Sequence, residues 1–353
     1  QRIAADPRPT VVYGMGNGAD KLFDKLSELG VPVAAVMASD GFVRGQSFRG
    51  FTVRSFYDIR NEFSDFQILV AFASRVPEVM ELLHGMSESY TLRMPDMPVA
   101  GEEYFTSEFY RAHFDEIVRA GELLSDEESK AVYYSVLEYK LTGEIAPLFT
   151  HTVDKNGLYA ALPCEKFRRV LDLGAYNGDT LKEAVEFFPN LTEAVAVEPD
   201  PKTFRRLCKY VDSQSAVKVT PVNAAVYSGE GNLVFHSSGN RNSGLSGASY
   251  QHTDAGVPTV SVDTLCREFT PDFIKFDVEG AEREALLGAE TTLRGNKPAL
   301  LVSVYHRSED IFALALLLAE RHPGYCFALR RISCLPAWEA DLLALPLANG
   351  GEM

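Results

Sequence analysis

Short apolar runs alternate with amphipathic stretches along most of the chain, and the alternation is the period-switching pattern of parallel strands joined by helices. TVVYGMGNGA (10–19) reads as a strand running into a glycine turn, and DKLFDKLSELG (20–30) as a helix with a glycine stop. PVAAVMASD (32–40) and FQILVAFAS (66–74) are further strands, the second followed by the helical PEVMELLHG. Residues 86–160 change character: PDMP (95–98) breaks the pattern, aromatics and charges follow, and SDEES (125–129) has the composition of a capped helix start. Strands resume with RRVLDLG (168–174), EAVAVEP (193–199), VKVTPVNAAVYS (217–228), GNLVFHSS (231–238), VPTVSVD (257–263), DFIKFDVEG (272–280), PALLVSVYH (298–306) and GYCFALRRIS (324–333). The expected organisation is a small Rossmann-like α/β domain over 1–90, a helical linker or cap over 91–162, and a second α/β domain over 163–353.

With 353 residues the chain exceeds one ordinary core, which agrees with two domains. The formal net charge of −15 disfavours nucleic acid and anionic membranes, both of which demand clustered cations. Five scattered cysteines without a CxxC pair read as thiols of a reducing compartment. The longest apolar block, IFALALLLA (311–319), falls short of a membrane span. We expect a cytoplasmic protein without leader or membrane span.

Three strand ends carry the chemistry. In VLDLGAYNGDT (170–180) an apolar strand delivers Asp172 to a turn bracketed by Gly174 and Gly178, and Asp179 opens the next helix. A helix N-terminus behind a glycine turn presents unpaired N–H groups to a phosphate or a carboxylate. Glu198 lies 26 residues after Asp172, at the end of the next strand, where an acid can accept both hydroxyls of a ribose. The pair points to an adenosine-containing ligand; taken singly, the turn is a tight turn and Glu198 a first-turn acid beside Pro199. FIKFDVEGAEREALLGA (273–289) repeats the move and places Lys275 and Asp277 on one face of a strand end.

The spacing G-x-x-x-G is not the dinucleotide G-x-G-x-x-G. DLGAYNGDT (172–180), AVEPDP (196–201), VNAAVYSGEG (222–231), VDTL (262–265), IKFDVEGAEREALLGA (274–289) and SVYH (303–306) together resemble the FkbM family of S-adenosylmethionine-dependent methyltransferases over about residues 165–330. The departure is Tyr176-Asn177, where methyltransferases often carry a middle glycine. The resemblance implies a mostly parallel seven-stranded sheet with helices on both faces, and S-adenosyl-L-methionine as cofactor. It implies that Asp172, Gly174, Ala175, Tyr176, Asn177, Gly178 and Asp179 hold the methionyl end. Glu198 and Pro199 would meet the ribose, Asn223 and Ala224 would flank adenine, and Asp277 would face the methyl or the acceptor. The acceptor implied is a hydroxyl on a small molecule: a sugar, a glycan precursor or a secondary metabolite.

A hydroxyl acceptor must lose a proton. His306 is the first candidate base, with Asp277 and Lys275 as others; Lys275–Asp277 also reads as a local ion pair and His306 as a structural strand-end histidine. Glu279 and Glu282 read as acids favouring a helix N-terminus. No metal is expected, with Asp277, Glu279 and His306 the one set suited to a hard cation. His236 and His252 have no spacing partner, and GNRNSGLSGAS (239–249) reads as a surface loop beside the site. The aromatics of 104–114 are open to covering the site or to pairing with a second copy. Two other readings stand beside the transferase: an NAD(P)-dependent oxidoreductase using Gly14, Gly16, Gly18 and Asp40, and a non-catalytic adenosylmethionine-binding module.

Overall fold

The computed structural model describes residues 2–233 and 256–347. The 239–249 loop, His236 and His252 lie outside the described residues. The chain divides into two compact units, one formed by 1–97, 134–152 and 333–338, the other by 98–133, 153–332 and 339–353. The stretch 91–162 is thus shared between both units.

The smaller unit is built on strands β1 (Thr10–Tyr13), β2 (Val33–Met37), β3 (Ser47–Phe48), β4 (Phe51–Arg54), β5 (Gln67–Val70) and β6 (Thr91–Arg93), in the spatial order β3-β4-β2-β1-β5-β6. Only the β3–β4 pair is antiparallel. Every residue of β1 and β5 is buried, the continuous burial expected of central parallel strands covered on both faces. Leu22 and Leu26 of the helix Asn17–Glu28 bury against Val12 and Leu69. Strands β4 and β6 carry no long apolar run, and the hydrophobic pattern alone does not mark them.

The larger unit carries β7 (Arg169–Leu173), β8 (Glu193–Val197), β9 (Lys218–Val222), β10 (Ala225–Val226), β11 (Gly231–Leu233), β12 (Val257–Val260), β13 (Phe273–Phe276), β14 (Ala299–Ser303), β15 (Tyr325–Arg331) and β16 (Ala340–Pro346). Its main sheet has seven strands in the order β15-β16-β14-β13-β7-β8-β9. Five neighbours, β9 to β14, run parallel, and β16 lies antiparallel between β14 and β15.

The structure corrects three expectations of detail. The run 217–228 is two strands, because Asn223 leaves the ladder and turns its amide to the carbonyls of Glu198 (2.8 Å) and Pro199 (3.1 Å). Strands β10, β11 and β12 form a separate three-stranded sheet. β16 was not anticipated: its run follows the Trp338-Glu339 turn and has the same apolar composition as a buried helix segment.

The chain leaves β7 toward β8 and β9 on one side, and later returns to lay β13 and β14 on the other. The order reverses between β7 and β13. A crevice opens at such a switch point, outside the carboxyl ends of the strands.

Candidate active site at the β7–β13 switch point

At the end of β7, Asp172 is fully buried, and neither carboxyl oxygen has a hydrogen-bond partner among the described residues. Burial drives its pKa up to about 7; Lys275 pulls it back, and Asp179 and Asp277 add to the rise. The turn that follows is held tightly. The N–H groups of Gly174 and Ala175 both donate to the carbonyl of Val197 at 2.9 Å, and Gly178 N–H donates to Ala175. Gly174, Tyr176 and Gly178 have positive φ (86°, 46° and 90°), a region open to glycine and costly for tyrosine. Gly178 is the left-handed N-cap of the helix Asp179–Phe187, and its missing Cβ admits the ring of Tyr210. Asn177 has a buried Oδ1 without a partner.

Glu198, at the end of β8, is 6% exposed. Its Oε2 accepts from Tyr176 N–H (3.0 Å) and its Oε1 from Asp200 N–H (2.8 Å), so one carboxylate ties the β7 turn to the β8 turn. Burial pushes it to about 7 against these two hydrogen bonds. Asp200 caps the next helix by accepting from Thr203 N–H, with Pro201 in its first turn. Ala224 is buried, and Pro199 half-buried, beside Asn223.

At the end of β13, Lys275 Nζ donates to Asp277 Oδ2 (2.9 Å) and to Thr180 Oγ1 (3.0 Å). Burial alone would lower this ammonium; Asp277 and Asp172 outweigh it and hold its pKa above the usual value. Lys275 therefore joins the β13 carboxylate to the helix that follows the β7 turn. Asp277 is one-quarter exposed and Glu279 slightly more. Glu279 has φ 55°, an unfavourable left-handed conformation for a side-chain-bearing residue. Burial pushes its carboxyl up to about 8 despite His306.

Glu282 is not a solvated helix-start acid. It is fully buried and folds back on its own loop, accepting from Val278 N–H (2.8 Å) and Gly280 N–H (3.0 Å). It also faces His306 Nδ1 at 2.9 Å. His306, 1% exposed, lies past the end of β14, with its Nε2 3.5 Å from Asp277 and 3.7 Å from Glu279. Burial opposes a charge on this ring, but Glu282, then Asp277 and Glu279, push it up to about 10. The surrounding carboxylates thus favour the protonated ring.

A strap closes over the loop. Ala100 N–H donates to the carbonyl of His306 (2.9 Å), and Ser308 Oγ donates to that of Glu103 (2.7 Å). Ala100 packs its methyl where a Cβ on Gly280 would stand, and Arg307 Nε donates to Gly280 O (2.6 Å). Buried Asp341 of β16 joins Ser303 Oγ at 3.2 Å, and burial brings its carboxyl to about 7. Sequence reasoning missed the roles of Glu282, Thr180, Arg307 and Asp341. For Glu282 the signal was present, since an acid two residues after a glycine can reach back to the loop amides.

In the smaller unit, Gly14 and Gly18 face Phe72 and the carbonyl of Ala71, so these glycines serve the close approach of the β1 turn to the end of β5. Asp40 is exposed. No helix of the described residues is long and apolar enough to cross a membrane.

Residues 172–325 match the profile of the methyltransferase FkbM domain. A crystal structure of methyltransferase FkbM from Methylobacillus flagellatus KT superposes with a TM-score of 0.74 at 20% identity, covering 97% of this chain and 92% of that one. Two further structures overlap only in part and with low TM-scores. One is precorrin-6y C5,15-methyltransferase from Geobacter metallireducens GS-15 (0.35, 14% identity, 54% and 87% covered). The other is Aeropyrum pernix fibrillarin with natively bound S-adenosyl-L-methionine (0.34, 14% identity, 52% and 69% covered). No curated protein matches the chain.

Proposed function

We propose that this chain, whose residues 172–325 form a methyltransferase FkbM domain, is an S-adenosylmethionine-dependent O-methyltransferase acting on a hydroxyl of a sugar, glycan precursor or other small molecule. One observation carries the reading: a glycine turn at the switch point is flanked by two buried acids, Asp172 without a partner and Glu198. The residues fit the cofactor. A buried carboxylate lacking any donor is costly and is relieved by a ligand N–H group, which an α-amino group supplies. Glu198 stands beside Asn223 and Ala224, with carboxylate lone pairs left over for ribose hydroxyls. Gly174, Ala175, Tyr176, Asn177, Gly178 and Asp179 shape the methionyl end.

S-adenosylmethionine supplies an electrophilic methyl group on a sulfonium. The protein's work is then largely positioning, which is worth roughly 7–11 kcal/mol in well-oriented reactions. Lys275 fixes Asp277, and Asp277 faces the acceptor hydroxyl and takes its proton as the methyl group is transferred. His306 orients Asp277 and Glu279 from the end of β14. The carboxylates around this end suit a neutral hydroxyl donor better than a phosphorylated acceptor.

The test is calorimetric titration of the full chain with S-adenosylhomocysteine, with NADH in parallel. Micromolar binding of the homocysteine product, abolished in Glu198→Ala, is expected. Binding of NADH alone would overturn the reading and move the active site to the Gly14–Asp40 turn.

A further inference from the structure

We infer that Asp277, Glu279 and His306 form a binding site for a divalent first-row cation, with Glu282 orienting the histidine from behind. Three carboxylates converge on one imidazole that is 1% exposed. That imidazole is poorly satisfied. Its Nδ1 has no hydrogen bond of acceptable geometry although Glu282 Oε1 is 2.9 Å away, and its Nε2 contacts Asp277 Oδ1 at 3.5 Å and Glu279 Oε2 at 3.7 Å. These last contacts are long for hydrogen bonds. Ligands about 2.1 Å from a common ion lie roughly 3.0–3.4 Å apart, so each of the two carboxylate contacts to Nε2 needs only a few tenths of an ångström of closure.

An atom each of Asp277, Glu282 and His306 lies within 4.8 Å of the other two. Glu282 nevertheless belongs to the support rather than to the ion. Both its oxygens already accept backbone N–H groups, from Val278 and Gly280, and it faces the ring nitrogen opposite the one that meets Asp277. A carboxylate behind a ligating histidine sets the ring's orientation and basicity. The left-handed backbone of Glu279, φ 55°, turns a third acid toward the same nitrogen at a conformational cost. The cation displaces the Nε2 proton to solvent, and two carboxylate oxygens with the imidazole nitrogen so freed suit manganese or zinc better than the all-oxygen preference of calcium.

The site stands on the geometry of the β13–β14 ends alone. Only its consequence rests on the transferase reading: an acceptor hydroxyl completing the ion's coordination would be polarised and would lose its proton more easily.

The experiment uses the full chain freed of metal by a chelator, titrated with MnCl2 while free Mn2+ is read by electron paramagnetic resonance. One Mn2+ per chain is expected, with Glu279→Gln and Asp277→Asn each weakening it by roughly tenfold or more. Glu279 lies on a partly exposed loop, so Glu279→Gln serves where a change at buried His306 would disturb folding; the thermal transition of each variant checks this. No binding up to millimolar Mn2+, or binding that either variant leaves unchanged, overturns the site. S-adenosylhomocysteine titrated into the same sample separates the two ideas: Mn2+ binding without it leaves the cation site and removes the cofactor reading, and the converse does the opposite.

Discussion

Gly174 and Asp277 meet backbone to backbone: the carbonyl oxygen of Asp277 occupies the place where any side chain at 174 would begin. The two residues end neighbouring strands on either side of the point where the sheet reverses order. Gly174→Ala must both adopt φ near 86° and push the two loops apart. Together these costs come to about 2–4 kcal/mol. The expected result is a lower urea midpoint with an unchanged slope, together with lost S-adenosylhomocysteine binding. A variant as stable as the parent would show that the loops yield at little cost.

Lys275 is the cation between Asp277 and Asp172. Lys275→Met leaves those acids uncompensated and should destabilise by about 3 kcal/mol at pH 8. The loss should shrink at pH 5.5, where the Asp172 carboxyl, brought to about 7 by burial, is already protonated. Urea unfolding at the two pH values measures the difference.

Asp172→Asn separates stability from binding. The folded carboxyl protonates near 7 and the unfolded one near 3.8, so the folded state holds a proton that the unfolded state releases between those values. Stability therefore falls as pH rises through that window and levels off above it. Asparagine lacks this slope. The variant should match the parent near pH 4 and exceed it at pH 8 by a few kcal/mol, while binding S-adenosylhomocysteine more weakly. Thermal midpoints at the two pH values, paired with calorimetry, give both readouts.

Gly280 and Ala100 form a tight pair across the strap. Gly280→Ala should cost about 2 kcal/mol, part from its φ of 96° and part from the collision with the Ala100 methyl. Adding Ala100→Gly removes the collision but not the backbone term. The double mutant should recover roughly 1 kcal/mol, the coupling expected of residues in contact. Strict additivity of the two single changes would mean that the strap moves aside freely.

The strand–turn–helix units at 170–180 and 273–289 were legible because strand, glycine and helix start are all local, and local chemistry repeats in the chain. The place of Glu198 at the end of β8 was legible by spacing. The place of His306 past the end of β14 was legible too, but its surroundings were not, because Glu282, Asp277 and Glu279 reach it only through folding. Asp341 gave no signal: it enters through an antiparallel strand whose partners are fixed by the fold and not by its own pattern. The partition of 91–162 between two units was hidden for the same reason, since amphipathic helices do not name the surface they cover.

The position of β16 inside the sheet bears on how the protein is made. β14 and β15 are not neighbours; each waits for the strand made after both. Until residue 346 has left the ribosome tunnel, the nascent chain presents β14 with an unpaired edge and β15 with no sheet to join. Synthesis must therefore run almost through the described chain before the larger sheet can close, and a ribosome stalled short of β16 would display an edge open to pairing with another chain.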